Sequence, residues 1–538
     1  MTQLLWLVSF ILLQSTFAQN DIKIDQISNF HTKAQWKISN KDLKISKSSA
    51  QGPMVFSDIK LEGWSLTKTV GSPSVPFKSI LLEGIPTDFN VEVNAVKVFN
   101  INDVAPVPAQ QMPCRCDIIP WKFNVDFDEK SYNSKSREHI FVEYMGKFRG
   151  KDISRVRFSP VAYNHKSGMR FISEGSVEIK SNQKINVASM SAEDRRLVIF
   201  TADKFKSSLD RLVDYRTAEG YEVKVITLSE IGQSFEEVRA YIKDLYKKQS
   251  FSYSMIIGHE EIFPTEYVST RFDENTPSDM NYYTLDGDTD GQRDVIPDIL
   301  YSRISVDTID ELNRFIDKSL EFEARSWKDG LGKNMMIAIA SDEGSAPSDV
   351  EYVRQMQNPL KKKFNWKSRE FFQANSDSIP SNVQDRISDG SIWLNYIGHG
   401  SGYAWPSLFG EDFSTAHINS LRANGVKPII IDVACQNGRF SNEARMGESF
   451  IRATDGRSPA GAVAYYGGSV DISWDPPAVM AIGAGVALSE NNNRRLIDVL
   501  WAGQRYLLEN YDDRQGALEN FVWYHLQGDP LLNLNNLQ

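Results

Sequence analysis

Residues 391–438, SIWLNYIGHGSGYAWPSLFGEDFSTAHINSLRANGVKPIIIDVACQNG, decide the fold. Two short apolar runs stand out. Residues 392–397 lead into Gly398-His399-Gly400-Ser401, and residues 428–434, with Ile429, Ile430 and Ile431 unbroken, lead into Cys435. Apolar runs of this length bounded by turn residues predict strands buried on both faces. In sheets of such strands, chemistry gathers just beyond the carboxyl ends. A histidine at one end and a cysteine at another therefore predict a thiol–imidazole pair. A free thiol titrates at about 8.5 and is mostly protonated at neutral pH. A neighbouring imidazole takes its proton or stabilises the thiolate. Glycines beside His399 admit a substrate backbone, and the N–H groups near Gly400 and Cys435 are candidates to receive an oxyanion.

The flanking sequence supplies the rest of the scaffold. Residues 197–200, 221–228, 254–257, 335–340 and 462–466 read as further strands. Residues 203–219 carry Phe205, Leu209, Leu212 and Val213 on one face, with Gly220 as a stop. Ser234 with Glu237, and Thr308 with Glu311, form capping boxes for two more helices. Alternation of strands and helices predicts a parallel α/β sheet. Residues 19–184 read differently, as short alternating segments broken by Gly, Pro and Asn, which predicts a mostly β domain. Residues 185–196 are polar, end in Arg195-Arg196 and read as a linker open to processing. An α/β domain over 197–538 follows.

The chain has 538 residues and a formal charge of −10. That balance, with no basic run, argues against a nucleic-acid partner. Residues 4–17 form an apolar stretch followed by Ala18, which predicts a signal peptide over 1–18 and a secreted protein. No other stretch is apolar and long enough to span a membrane. The three cysteines are Cys114, Cys116 and Cys435. Cys114-Arg115-Cys116 either closes a local loop or stays reduced, and two cysteines are too few for a structural zinc site. Asp286, Asp288 and Asp290, at alternate positions around glycines, resemble the start of a calcium loop, which Asp294 and Asp298 could complete. Position twelve is Pro297, so the loop is not an EF-hand, and a solvated acidic turn is the competing reading.

Asn395-Tyr396-Ile397-Gly398-His399-Gly400-Ser401, paired with Asp432-Val433-Ala434-Cys435-Gln436-Asn437-Gly438, resembles the gingipain family of cysteine peptidases, in the caspase-like clan. The resemblance runs from about 196 to 534. It implies a caspase-like catalytic unit behind a β-rich propeptide that acts as its own inhibitor. It also implies that Glu343, or alternatively Asp342, orients His399, that Asp349 floors the primary specificity pocket, and that Trp474 covers it. The function expected is a secreted cysteine endopeptidase made as a zymogen, acting on proteins or peptides after a basic residue, Arg favoured. The chemistry requires no cofactor, with calcium at most structural. Two alternatives stay open: a narrow-specificity processing peptidase of exported proteins, and a catalytically silent caspase-like binding or secretion component.

Overall fold

The computed structural model describes residues 22–116, 125–133, 139–287, 294–324, 330–344, 347–441, 443–490, 495–535 and 537. The expected signal peptide lies outside them, as do Asp288 and Asp290.

One ten-stranded sheet organises the C-terminal unit, where the resemblance expects the catalytic machinery. Its strands are β1 (Arg196–Thr201), β2 (Glu222–Thr227), β3 (Tyr253–Ile257), β4 (Leu300–Ile304), β5 (Met335–Ala340), β6 (Lys367–Phe372), β7 (Trp393–Ile397), β8 (Ile429–Val433), β9 (Ala464–Gly468) and β10 (Tyr524–Gly528). The spatial order is β2-β1-β3-β4-β10-β9-β8-β7-β5-β6. Every neighbouring pair is parallel except β9 with β10. The sheet is thus two parallel halves running in opposite directions. Strands β7 and β8 lie side by side in the second half and are buried throughout, so His399 and Cys435 emerge at neighbouring ends of that half.

Helices cover both halves. The helix Phe235–Lys248 (α1) begins at Ser234, whose Oγ accepts the Glu237 N–H, the reciprocal box its sequence encodes. The helix Asp349–Phe364 (α2) is capped by Ser348 in the same way. The helix expected over 203–219 is a 3-10 turn, Asp203–Leu209, continued by an α-helix, Asp210–Ala218. Phe205, Leu209 and Leu212 still face the core.

The N-terminal unit is β-rich. Ile22–Ser28, His31–Lys37, Phe89–Ile101, Val161–Asn164 and Gly168–Ser181 form one sheet, and Ser65–Leu66, Pro76–Glu83, Ile140–Phe148 and Lys151–Phe158 another. Between them lies an aromatic core in which Trp36 stacks on Phe158 and meets Trp64 edge-on. This unit also docks. Leu81, Met145, Phe148 and Ile153 join the hydrophobic core of the C-terminal unit, and Phe148 packs against Trp501 of the helix Leu496–Asn510 (α3).

Arg155 anchors the contact. Its buried guanidinium donates to the carbonyls of Leu508 at 2.8 Å and Asp512 at 2.7 Å, and to that of Tyr511, and it pairs with Glu143 at 2.6 Å. The end of α3 thereby has its orphan carbonyls satisfied by a cation, the favourable sign for that helix end. Lys68 pairs with Asp475 at 3.0 Å, and Arg157 with Asp512.

Arg195-Arg196 departs from the open linker expected of it. Arg196 starts β1, and the Arg195 carbonyl accepts the Glu222 N–H at 2.9 Å. Backbone this committed to a sheet resists entry into an active site, so a cut here requires the start of β1 to open.

Removing the Arg155 side chain would leave those carbonyls and Glu143 without their donor. Arg155→Ala is expected to lower stability by about 3–5 kcal/mol, read as a reduced urea midpoint. A loss below about 1 kcal/mol would show that these bonds do not hold the interface.

Candidate active site

Strand β7 ends at Ile397, and the turn Gly398–Gly400 carries His399 over the sheet edge. A side chain at Gly398 would meet Ser407 Oγ at 2.4 Å, and one at Gly400 would meet the Cys435 carbonyl at 2.3 Å. The glycines therefore let the His399 turn press against the Cys435 turn. Ser407 Oγ accepts the His399 N–H at 3.0 Å. After β8, Cys435 is followed by Gln436 at a φ of 60°, a left-handed turn that sends the chain back beneath the thiol. Asn437 ties the two turns together. Its Oδ1 accepts the Gly402 N–H at 2.9 Å, and its Nδ2 donates to buried Asp432 at 3.1 Å. The Gly400 and Cys435 amides expected at the oxyanion position thus lie in two turns packed on each other.

The third element follows β5. Glu343 Oε2 lies 2.6 Å from His399 Nε2, an ion pair, and Glu343 is the acid of this loop that meets the imidazole. Asp342 instead has its N–H on Gln373. Gly344, at a φ of 80°, turns the loop back, and the Glu343 carbonyl accepts the Asp349 N–H at 3.0 Å. The His399 partner and the first residue of α2 therefore hang on one loop.

Asp349 and Trp474 do share a pocket, and the pocket is filled. Arg115 of the N-terminal unit lies in it, fully buried. Its guanidinium donates to both Asp349 oxygens at 2.9 and 3.0 Å, and through Nε and Nη2 to the Trp474 carbonyl at 3.1 and 2.9 Å. The Trp474 ring lies over it, 4.5 Å from Cζ. Ser341 Oγ donates to Asp349 at 2.8 Å. Burial opposes the Arg115 charge, but the Asp349 carboxylate outweighs it and holds the guanidinium above its ordinary value.

The backbone around Arg115 pairs like an added strand. The Arg115 N–H donates to the Ile472 carbonyl at 2.9 Å, and the Trp474 N–H donates to the Pro113 carbonyl at 3.1 Å. The Arg115 carbonyl accepts from His399 Nδ1. A carbonyl can only accept, so Nδ1 carries a proton. The carboxylate beside Nε2 favours the doubly protonated imidazolium of His399. Its pKa is raised, first by Glu343, while Glu343 is lowered, first by His399. Cys435 is a buried, neutral thiol, pushed up to about 12 by burial, and Ile472 N–H points at its sulfur from 3.5 Å. Cys114 and Cys116 form a disulfide around Arg115.

Sequence reading named Trp474 but missed Arg115 as the occupant of the pocket and the backbone edge at 470–474 that pairs with it. The signal was an arginine between two cysteines in an extended loop, but its partner Asp349 lies 234 residues away. Among the described members of the expected calcium loop, Asp286 accepts the Gly150 N–H at 2.6 Å and Asp298 accepts those of Arg149 and Leu285. Asp294 accepts the Ile296 N–H at 3.1 Å. Burial and the facing Asp286 carboxylate push the Asp298 carboxyl up to about 8. Among the described residues, the one group of three potential ligands is Cys114, Cys116 and Asp471, and there the two sulfurs are bonded to each other.

Thiol, imidazole and carboxylate at neighbouring strand ends, beside an arginine-filled pocket, are the equipment of a cysteine peptidase. The model of Peptidase family C25 matches residues 191–535. Gingipain R2 of Porphyromonas gingivalis is 23% identical over 94% of this chain and 73% of its own length, and Gingipain R1 of the same organism is 23% identical over 94% of this chain but 54% of its own length. The crystal structure of the Arg specific cysteine proteinase gingipain R has the same fold, with a TM-score of 0.55 at 24% identity over 63% of this chain and 78% of that one. The complex of RgpB pro- and mature domains matches with a TM-score of 0.55 at 23% identity over 63% of this chain and 79% of that one. The chain belongs to peptidase family C25 and is a cysteine endopeptidase.

The His399–Glu343 pair has a definite pH signature. The raised imidazole contributes stability below its ordinary value of 6.5 and loses it as pH rises through the raised value. The lowered carboxylate contributes above its ordinary 4.5 and loses it as pH falls through the lowered value. The melting-temperature gap between the chain and its Glu343→Gln variant should therefore peak between those two ordinary values and shrink on both sides. A gap independent of pH would contradict the pairing.

Proposed function

We propose that this chain is the latent form of an exported endopeptidase that cleaves after arginine and is held inactive by its own N-terminal unit. The observation that carries the reading is Arg115, seated as a substrate arginine would be, with its guanidinium on Asp349 and its carbonyl at His399. In this reading Cys435 is the nucleophile, His399 moves the proton between thiol and leaving amine, and Glu343 orients the imidazole. The tetrahedral oxyanion is received by backbone N–H groups near Gly400 and Cys435.

The pocket favours arginine over lysine on geometric grounds. It offers two carboxylate oxygens and the Trp474 carbonyl to a planar fork, plus a ring for it to stack under. A single ammonium cannot meet all of these at once. Gingipain R carries "Arg specific" in its description, and that points the same way. Export is supported by the apolar N-terminal stretch and by a disulfide, which persists in oxidising compartments. Among the described residues no helix is long and apolar enough to cross a membrane.

Two variants test the assignment. Cys435→Ala should lose peptide hydrolysis while keeping its melting temperature. In the activated enzyme, Asp349→Ala should lower kcat/KM on arginyl peptides by about 30- to several-thousand-fold, equivalent to ~2–5 kcal/mol. Unchanged arginine selection in Asp349→Ala would refute the pocket and leave the nucleophile assignment standing.

A further inference from the structure

The peptide bond that follows Arg115 sits inside a covalent ring. Cys114 precedes Arg115, Cys116 follows it, and their sulfurs are joined. If the Arg115 site is read as above, Arg115–Cys116 is the bond presented to Cys435. The ring turns its nitrogen away from the acid that must protonate it. The Cys116 N–H points at Cys114 Sγ, 3.0 Å away, while His399 Nδ1 is engaged by the Arg115 carbonyl oxygen. Breaking the bond would not separate the fragments either. The new amine of Cys116 would stay tied through sulfur to Cys114, beside the acyl group on Cys435. A tethered amine acts at an effective concentration far above any free nucleophile and re-forms the amide in preference to hydrolysis.

We propose that the Cys114–Cys116 disulfide is a reducible clasp: closed, it makes the Arg115 segment an inhibitor, and opened by a thiol reductant, it makes the same segment a substrate. This rests on the latent-peptidase reading and adds the signal that ends latency. The sulfurs differ in access, Cys114 being buried and Cys116 exposed. A dithiol attacks Cys116 Sγ, the bond to Cys114 breaks, and Cys114 leaves as a thiolate that takes a proton. The second thiol of the reductant then displaces Cys116. The reductant ends as a disulfide and the clasp as two thiols, a two-electron exchange. A carboxylate oxygen of Asp471 lies within 4.8 Å of both sulfurs and works against the departing thiolate, which favours the closed form. Once the ring is open, the Cys116 nitrogen is free to turn toward His399. With the carbonyl contact released, His399 gives one proton to solvent and its freed nitrogen takes the Cys435 proton as the sulfur attacks the Arg115 carbonyl carbon. The C–N bond breaks as the leaving nitrogen takes that proton from His399, and water hydrolyses the thioester, returning the Cys435 thiol.

The test uses the full chain in reductant-free buffer. Wild type, with and without added dithiothreitol, is compared with the double variant Cys114→Ser/Cys116→Ser, which leaves Cys435 as the one cysteine. Intact mass reads cleavage of the 115–116 bond, and a fluorogenic arginyl peptide reads activity. Cleavage and activity should appear at least tenfold faster in the double variant than in untreated wild type, and dithiothreitol should bring wild type to the variant's rate. Equal rates in untreated wild type and variant overturn the clasp. So does a variant that still needs dithiothreitol, because the reductant then acts on Cys435. The wild-type arms need no substitution, so a misfolded variant cannot mask the result: wild type that stays uncut with dithiothreitol also overturns the clasp. If the clasp fails while an arginyl peptide is still hydrolysed after proteolytic removal of the N-terminal unit, the peptidase reading survives. No arginyl hydrolysis in any arm sinks both.

Discussion

A guanidinium taken out of water needs a fixed counter-charge and fixed acceptors, and Arg115 sets how the two units of this chain meet. Burying it without a partner would cost several kcal/mol. Asp349 supplies the charge from the first turn of α2, where a carboxylate also suits the helix dipole. Asp349 is in turn bound through its N–H to Glu343, Glu343 to His399, and His399 to the carbonyl of Arg115 itself. The contacts form a closed circuit. Filling the pocket and fixing the imidazole are one structural event.

The same occupancy decides the protonation states. A working thiol–imidazole pair needs a thiolate at least transiently, and a thiolate needs solvation or a cation nearby. Here the N-terminal unit buries the site, Cys435 holds its proton, and the proton on His399 Nδ1 is spent on a carbonyl. In the latent form proposed above, inactivity comes from dehydration and misdirected hydrogen bonds as well as from steric blockage.

What the sequence disclosed follows from what local patterns record. Strands β5, β7 and β8 were legible because apolar residues dominate each, with only Asn395 in β7 and Asp432 in β8 as polar members, and the turn after each carries a distinctive side chain. The capping boxes of Ser234 and Thr308 were legible because they close over three residues. Strand β4 was not, because Ser302 and Arg303 interrupt its apolar character, and Arg303 is tolerated through buried Asp279 and the carbonyls of Gly258, Phe263 and Pro264. Strand β6, KSREFF, is half-exposed at the sheet edge and has a weaker pattern. Within the site, residue types at strand ends could be read, and the loop of Glu343 followed from motif resemblance. The seating of Arg115, the bridge made by Asn437 and the backbone pairing beside Trp474 could not, because these roles exist only between segments far apart in the chain.

Much of the charge across the docking face is sorted by unit, with Arg514 on the catalytic side, bonded to the Tyr144 and Met145 carbonyls, as an exception. Lys68, Arg149, Arg155 and Arg157 lie on the N-terminal side, and Asp286, Asp298, Asp475 and Asp512 on the catalytic side. Separating the units would bare a field of carboxylates around a pocket shaped for a cation. Such a surface acts over a Debye length, drawing positively charged chains inward before any contact is made. The footprint left by the inhibitor would then serve as an antenna for substrate: capture of basic peptides would be fast at low ionic strength and slow as salt rises, while the chemical step at Cys435 stayed the same.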